Sequence, residues 1–162
     1  MKSFVPNPVV AVVMGSQSDQ PIMAECTRHL DYFGIACKEY ILSAHRTPDQ
    51  TAEFAKKARH NGIKVIIAGA GMAAHLPGVI AAHTTLPVIG VPLSGSDLNG
   101  LDALYSMVQM PSGVPVATVA IGKAGAINAA VLAAEILGIT DEKIQQKLIE
   151  FKNNGCKLPR QG

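Results

Sequence analysis

The sequence predicts an α/β fold: a three-layer sandwich, with one parallel five-stranded sheet between two layers of helices. Two observations carry this. Short runs rich in β-branched residues alternate with longer stretches suited to helices along the chain. The short runs are apolar at successive positions, the pattern of strands buried on both faces. Such a sheet needs helices above and below it, and right-handed crossovers between parallel strands place them there.

The elements follow in order. The first strand is Val9–Val13. After it, "MGSQSD" offers a tight turn, a cap at Ser18 or Asp19, and Pro21 in the first turn of a helix spanning Pro21–Phe33. The second strand, Cys37–Leu42, ends in Tyr40, Ile41 and Leu42 and reads as buried. Thr47 is expected to cap the next helix, Pro48–Asn61, with the proline at its first position. Strand Val65–Ala68, helix Ala74–Thr84, strand Pro87–Val91 and helix Gly100–Met110 come next, then strand Val116–Ile121 and helix Ala124–Leu137. A last polar helix spans Asp141–Asn154. Its Ile144, Leu148 and Phe151 fall at helical spacing and would dock it on this subunit or on a neighbour. No linker, repeat or low-complexity segment interrupts the chain, so residues 1–162 are expected to form one domain. The expected strand order is 2-1-3-4-5, the flavodoxin-like doubly wound arrangement.

Composition narrows the function. Hydrophobic residues make up 48% and charged ones 16%, so much of the surface is expected to be covered by copies of the chain itself. The net charge of +2, with no Lys/Arg cluster or aromatic platform, argues against DNA or RNA as a partner. Cys26, Cys37 and Cys156 are odd in number and contain no C-x-x-C pair. That argues against a disulfide framework or structural zinc and fits a reducing cytoplasm. The N-terminus lacks a basic start followed by an apolar signal core. The stretch Ala124–Ile139 is interrupted by Asn128 and Glu135 and is too short to span a bilayer. A soluble cytoplasmic protein is expected, with no membrane contact.

In a doubly wound sheet, ligands bind beyond the carboxyl ends of the strands. Four segments are expected to project from that edge: "MGSQSD" (Met14–Asp19), "SAHRTP" (Ser43–Pro48), "AGAGMAAHLPG" (Ala68–Gly78) and "PLSGSDLNG" (Pro92–Gly100). Gly15 allows the first turn, and Ser16 and Ser18 with helix N–H groups would form an anion site. The missing G-x-x-x-x-G-K-[ST] leaves a Walker-type site unsupported. His45 offers a proton near neutral pH, and Arg46 beside it a permanent, forked cation for phosphate. In the third segment, Gly69 and Gly71 permit close turns or close helix–strand packing. The N–H groups of Ala73, Ala74 and His75 would face a carboxylate. His75 and His83 share a helical face without a third metal ligand and read as core or interface residues. His29 and His60 read as surface residues.

Taken together, "VVMGSQSD", "SAHRTP", "AGAGMAAHLPG" and "YSMVQMPSGVPVATVAIGKAGAINAA" resemble the class I N5-carboxyaminoimidazole ribonucleotide (N5-CAIR) mutases of bacterial purine biosynthesis, the PurE family. The resemblance runs from about Val9 to Leu137. It implies a reaction without metal, ATP or organic cofactor, in which a carboxylate moves from the exocyclic N5 nitrogen to C4 of the imidazole, giving CAIR. In the mechanism it implies, N5 releases CO2, which a closed pocket holds beside aminoimidazole ribonucleotide. C4 attacks it, and the C4 proton then leaves. His45 is by resemblance the proton shuttle, and Arg46 binds the substrate phosphate with help from Ser16 and Ser18 in the Gly15 turn. Asp19 takes the ribose hydroxyls, and Ser43 and Ala44 frame the base. Gly71, Ala73, Ala74, His75 and Leu76 line the place of the carboxylate or CO2. The resemblance also implies a homo-octamer with active sites at subunit contacts, and a transient contact with the upstream synthetase. Gln17 fills a slot that varies among such proteins and is expected to face solvent. Met72 stands where glycine is more usual and would narrow the pocket or reach a neighbouring subunit.

Three other readings compete. A class II carboxylase on the same fold would join free CO2 to aminoimidazole ribonucleotide. A flavin-binding electron carrier needs an aromatic sandwich, for which a chain with no Trp, three Tyr and four Phe is poorly equipped. A phosphorylated receiver domain needs an acceptor Asp at the end of the third strand, where this chain has "AGAG".

Overall fold

The computed structural model describes residues 7–159 and contains a five-stranded parallel sheet in the order β2-β1-β3-β4-β5. Its strands are β1 (Val10–Met14), β2 (Cys37–Ile41), β3 (Val65–Gly71), β4 (Val88–Leu93) and β5 (Ala117–Thr118). The helices are α1 (Gln20–Tyr32), α2 (Pro48–Ala58), α3 (Leu76–His83), α4 (Leu101–Val108), α5 (Lys123–Gly138) and α6 (Glu142–Asn153). The expected order and layering hold. Val10, Val12 and Met14 face a core shared with α1, α5 and α6, while Ala11 and Val13 face one shared with α2, α3 and α4. Every residue of β1 is buried. At about 1.5–3 kcal/mol for each large apolar side chain removed from water, the central strands anchor both cores. Among the described residues no helix is long and apolar enough to cross a membrane.

Three strands depart from expectation. β2 was expected to be buried, but it is the edge strand: Lys38 and Glu39 face solvent and Ile41 is 47% exposed. Its apolar end reflects one-sided packing, in which Tyr40 stacks on Phe54 of α2 with centroids 4.7 Å apart. β5 keeps only two residues of the six-residue run expected, because it pairs with β4 alone through Ile89 and Gly90. β3 runs on through the glycines to Gly71. A Cβ on Gly69 would sit 2.7 Å from the Met23 sulfur of α1, and one on Gly71 would sit 3.2 Å from the Leu93 carbonyl oxygen. Glycine there lets α1 and β4 close on the central strand.

The last helix docks on its own subunit. Ile144, Leu148 and Phe151 are buried against α1 and α5, and Phe151 packs on Phe33 and Tyr32 at centroid distances of 5.4 and 5.9 Å. Gly138 makes room, since a Cβ there would lie 3.2 Å from Leu148. This packing also covers His29, which is only 3% exposed rather than on the surface. Its Nδ1–H donates to the Glu25 carbonyl at 2.7 Å, and its ring meets Phe151 edge-on. His60 is exposed, as expected. Glu25 ties α1 to α5 through Lys123 at 2.8 Å. All three cysteines are free, and burial pushes the Cys26 thiol far up, leaving it uncharged and unreactive.

α5 starts under a tight constraint. A Cβ on Gly125 would fall 1.7 Å from the Ala120 carbonyl oxygen, which is backbone and cannot rotate away. Gly125→Ala is therefore expected to destabilise the fold by about 3 kcal/mol or more, at the upper end of overpacking costs. Urea denaturation checks this, and an unchanged midpoint would show that residues 120–125 shift freely.

Candidate active site

A cavity of about 450 Å³ opens at the carboxyl edge of the sheet. It lies where the chain leaves β1 for β2 and then returns to β3 on the other side, the switch point of a doubly wound sheet. Gly15, Ser16, Ser18 and Asp19 reach it from β1, and Ser43, Ala44, His45 and Arg46 from β2. Ala70, Gly71, Met72, Ala73, His75 and Leu76 come from the end of β3 and the turn into α3, and Gly95 from beyond β4. Of the residues expected here, Ala74 alone does not line the cavity; it is buried in the core shared with α2, α3 and α4. Ala70 and Gly95 were missing from the expected set, and Met72 was expected only to narrow the pocket or reach a neighbouring subunit. Gly95 belongs to the fourth edge segment and Met72 to the third, so position along the chain was the available signal.

The turn after β1 is held by its own polar groups. Ser16 caps a single 3-10 turn, Gln17–Asp19, so the cap falls two residues before Ser18. The Ser18 N–H donates to Ser16 Oγ at 3.3 Å, and the Ser16 N–H donates to the Asp19 carboxylate at 3.0 Å. The Ser18 hydroxyl donates to Ser16 Oγ at 3.0 Å. Burial raises the Asp19 carboxyl above its ordinary 3.8, with the Ser16 hydrogen bond acting in the opposite sense. Gln17 faces solvent, as expected.

The turn after β2 is laced by hydroxyls. Thr47 Oγ1 accepts from the Ser43 N–H and donates to the Ser43 carbonyl, both at 3.0 Å. Thr47 was expected to cap α2 with its side chain. It holds the N-cap position but turns its hydroxyl back to Ser43 instead. Thr51, fully buried on α2, donates to the Thr47 carbonyl at 2.9 Å and lies 3.3 Å from that of Ser43. Ser43 Oγ accepts from the Arg46 N–H at 3.1 Å. The backbone is thus tied down while the side chains of His45 and Arg46 stay exposed. Among the described residues no carboxylate forms an ion pair with Arg46.

His75 meets this turn from the other side. Its Nδ1 lies 2.8 Å from His45 Nε2, with the rings nearly perpendicular at 80°. One nitrogen must donate and the other accept, so the tautomer of each ring sets that of its partner. His75 and His83 are both exposed in this chain rather than in the core. The N–H groups of Ala74 and His75, expected to face a carboxylate, are taken up locally by the carbonyls of Met72 and Ala73 at 2.9 and 2.8 Å. Met72 itself has φ 57. That left-handed conformation costs a residue with a Cβ about 1–2 kcal/mol.

A family model described as AIR carboxylase matches residues 9–157. The chain belongs to the AIR carboxylase family. Among its relatives in that family, the N5-carboxyaminoimidazole ribonucleotide mutase of Pyrococcus horikoshii is 60% identical over 144 residues, covering 89% of this chain and 80% of that one. The Bacillus subtilis protein of the same name is 56% identical over 147 residues, 91% of each chain. The crystal structure of Treponema denticola PurE superposes with a TM-score of 0.82 at 29% identity, covering 92% of both chains. AIR carboxylase family membership thus agrees with the resemblance drawn from the sequence.

Two outcomes follow from the geometry. Thr51→Val keeps the shape but removes the hydroxyl bonds to the Thr47 and Ser43 carbonyls, which retain their backbone N–H partners, and should cost about 0.5–1.5 kcal/mol in urea denaturation, with Thr51→Ser recovering most of it. An unchanged Thr51→Val midpoint would show the clasp to be idle. Asp19, with its folded pKa raised, favours the folded state when protonated and costs stability as pH rises through that raised value. Asn cannot ionise yet still accepts from Ser16. The melting temperature of Asp19→Asn minus that of the parent should therefore climb as pH rises from below 3.8. A falling difference would mean that the Ser16 bond outweighs burial.

Proposed function

We propose that this chain is an N5-carboxyaminoimidazole ribonucleotide mutase, carrying the carboxylate of N5-CAIR from N5 to C4 by decarboxylation and recarboxylation in purine biosynthesis. The observation that carries this reading is the His45–His75 pair, 2.8 Å apart, beside Arg46 at one cavity. A volume of about 450 Å³ lies within the range of small-molecule sites. Relatives 52–60% identical carry the mutase name.

Arg46 takes the substrate phosphate in its guanidinium fork, assisted by Ser16 and Ser18 beside Gly15. Asp19 accepts from the ribose hydroxyls, and Ser43 and Ala44 frame the base. Protonated His45 gives its proton to N5 as the N5–carboxylate bond breaks, leaving CO2 and aminoimidazole ribonucleotide. The electron-rich ring then attacks CO2 through C4, forming the new C–C bond. His45 takes the C4 proton, the ring regains aromaticity, and the histidine is again protonated. Protons and electrons balance without a cofactor. His75 orients His45 and holds its tautomer, while Gly71, Ala73 and Leu76 wall the space in which CO2 waits. The proton transfers by His45 contribute about 10²–10⁴-fold, and holding CO2 against the ring supplies the proximity term.

The same reading makes the protein a single-domain cytoplasmic enzyme and a homo-octamer. Leu98, Leu101, Tyr105 and Val108 leave an apolar face along α4, which suits coverage by another copy. A transient contact with the synthetase that makes N5-CAIR belongs to the same reading.

The test is a paired ultraviolet assay of CAIR formation. Freshly made N5-CAIR should turn over rapidly, and aminoimidazole ribonucleotide with bicarbonate and dissolved CO2 slowly. Efficient use of CO2 instead would make the chain a carboxylase. His45→Asn should keep the melting temperature and lose about 10²-fold or more of the N5-CAIR rate; near-normal turnover would remove His45 from the mechanism.

A further inference from the structure

Met72 is the one lining residue of the cavity that is both large and in the left-handed region, with φ 57. Its conformation is imposed from both sides. Gly71 before it is pressed against the Leu93 carbonyl, where even a Cβ would lie at 3.2 Å. The Ala74 N–H after it donates back to the Met72 carbonyl at 2.9 Å. A glycine would occupy this position without strain. The chain instead keeps a long unbranched side chain there, 61% exposed while lining the cavity, which puts it at the mouth rather than in the floor.

Strain held at a cavity rim points to a use for the side chain. The thioether is flexible and apolar, suited to filling an irregular opening. Of the other lining residues on this side, Ala70, Gly71 and Ala73 are small and Leu76 is buried, so Met72 is the long apolar side chain that stands exposed here.

We propose that Met72 is the retaining side chain of the cavity, closing its mouth over the CO2 released from N5 so that the gas meets C4 before it escapes. This rests on the mutase reading above. When retention fails, the N5–carboxylate bond has broken, N5 has taken the His45 proton and CO2 leaves with its carbon. Aminoimidazole ribonucleotide is then the product, and solvent reprotonates His45. When retention holds, the same carbon ends on C4. The fate of that carbon therefore reads Met72 directly, independent of overall rate.

The experiment follows unlabelled N5-CAIR in a buffer of ¹³C-bicarbonate and ¹³CO2, with the full-length parent, Met72→Gly, Met72→Ala and Met72→Leu, each corrected for loss without protein. Two quantities are read: the aminoimidazole ribonucleotide formed per CAIR, and the ¹³C content of the CAIR. The parent should show little of either. Met72→Gly and Met72→Ala should raise both several-fold, and Met72→Leu, which restores bulk without sulfur, should return them toward the parent. Equal ratios in the parent, Met72→Gly and Met72→Ala overturn the proposal. So does loss of all N5-CAIR consumption in both small variants, which would mark Met72 as a structural or subunit contact. If the parent itself forms no CAIR from N5-CAIR, the mutase reading fails first, and that outcome is distinct from unchanged partitioning in an active enzyme.

Discussion

Burial of both faces of β1 and β3 is the constraint on which the rest of this structure depends. Strands apolar on both sides must lie inside a parallel sheet, and parallel strands all end at the same edge. Every polar turn that follows a strand is thereby delivered to one place. The serine turn, the histidine–arginine turn and the alanine-rich turn are far apart in sequence, yet they line one cavity because β1 pairs with both β2 and β3.

The turns differ in how they hold their chemistry. Those after β1 and β2 satisfy their backbone with their own hydroxyls and a carboxylate. Such local bonds fix the backbone, and they draw on Ser16, Asp19 and Ser43, which also line the cavity. His45 and Arg46 stay available because Ser43, Thr47 and Thr51 absorb the hydrogen bonding around them. The turn after β3 is held differently, by close packing of Gly71 on β4 and by short backbone hydrogen bonds that consume N–H groups an anion could have used. On this side the exposed side chains of His75 and Met72 line the cavity.

Much of this was legible in the sequence. The strand order, the two helix layers and the four edge segments follow from apolar runs and their spacing, and the motifs named the family before the fold was known. The errors have a common origin. β2 read as buried because Tyr40, Ile41 and Leu42 are apolar, but whether a strand lies at an edge depends on what pairs beside it. His29 read as exposed because its neighbours in sequence are polar, yet α6 covers it with Phe151. The third strand was expected to end at Ala68, yet it runs on to Gly71, and of the two roles left open for Gly69 and Gly71 it is close packing, against Met23 and Leu93, that the structure shows.

The sequence by itself determined which segments could be buried and which residue types stand after each strand, since both depend on local pattern and composition. Only the tertiary structure decided which nitrogens and hydroxyls face each other. The 2.8 Å approach of His45 to His75 joins residues thirty positions apart, and no periodicity encodes it. The Ser43–Thr47–Thr51 clasp and the left-handed Met72 arise in the same way. Hydrogen bonds and backbone strain depend on distances of a few tenths of an ångström, which packing sets and residue order does not.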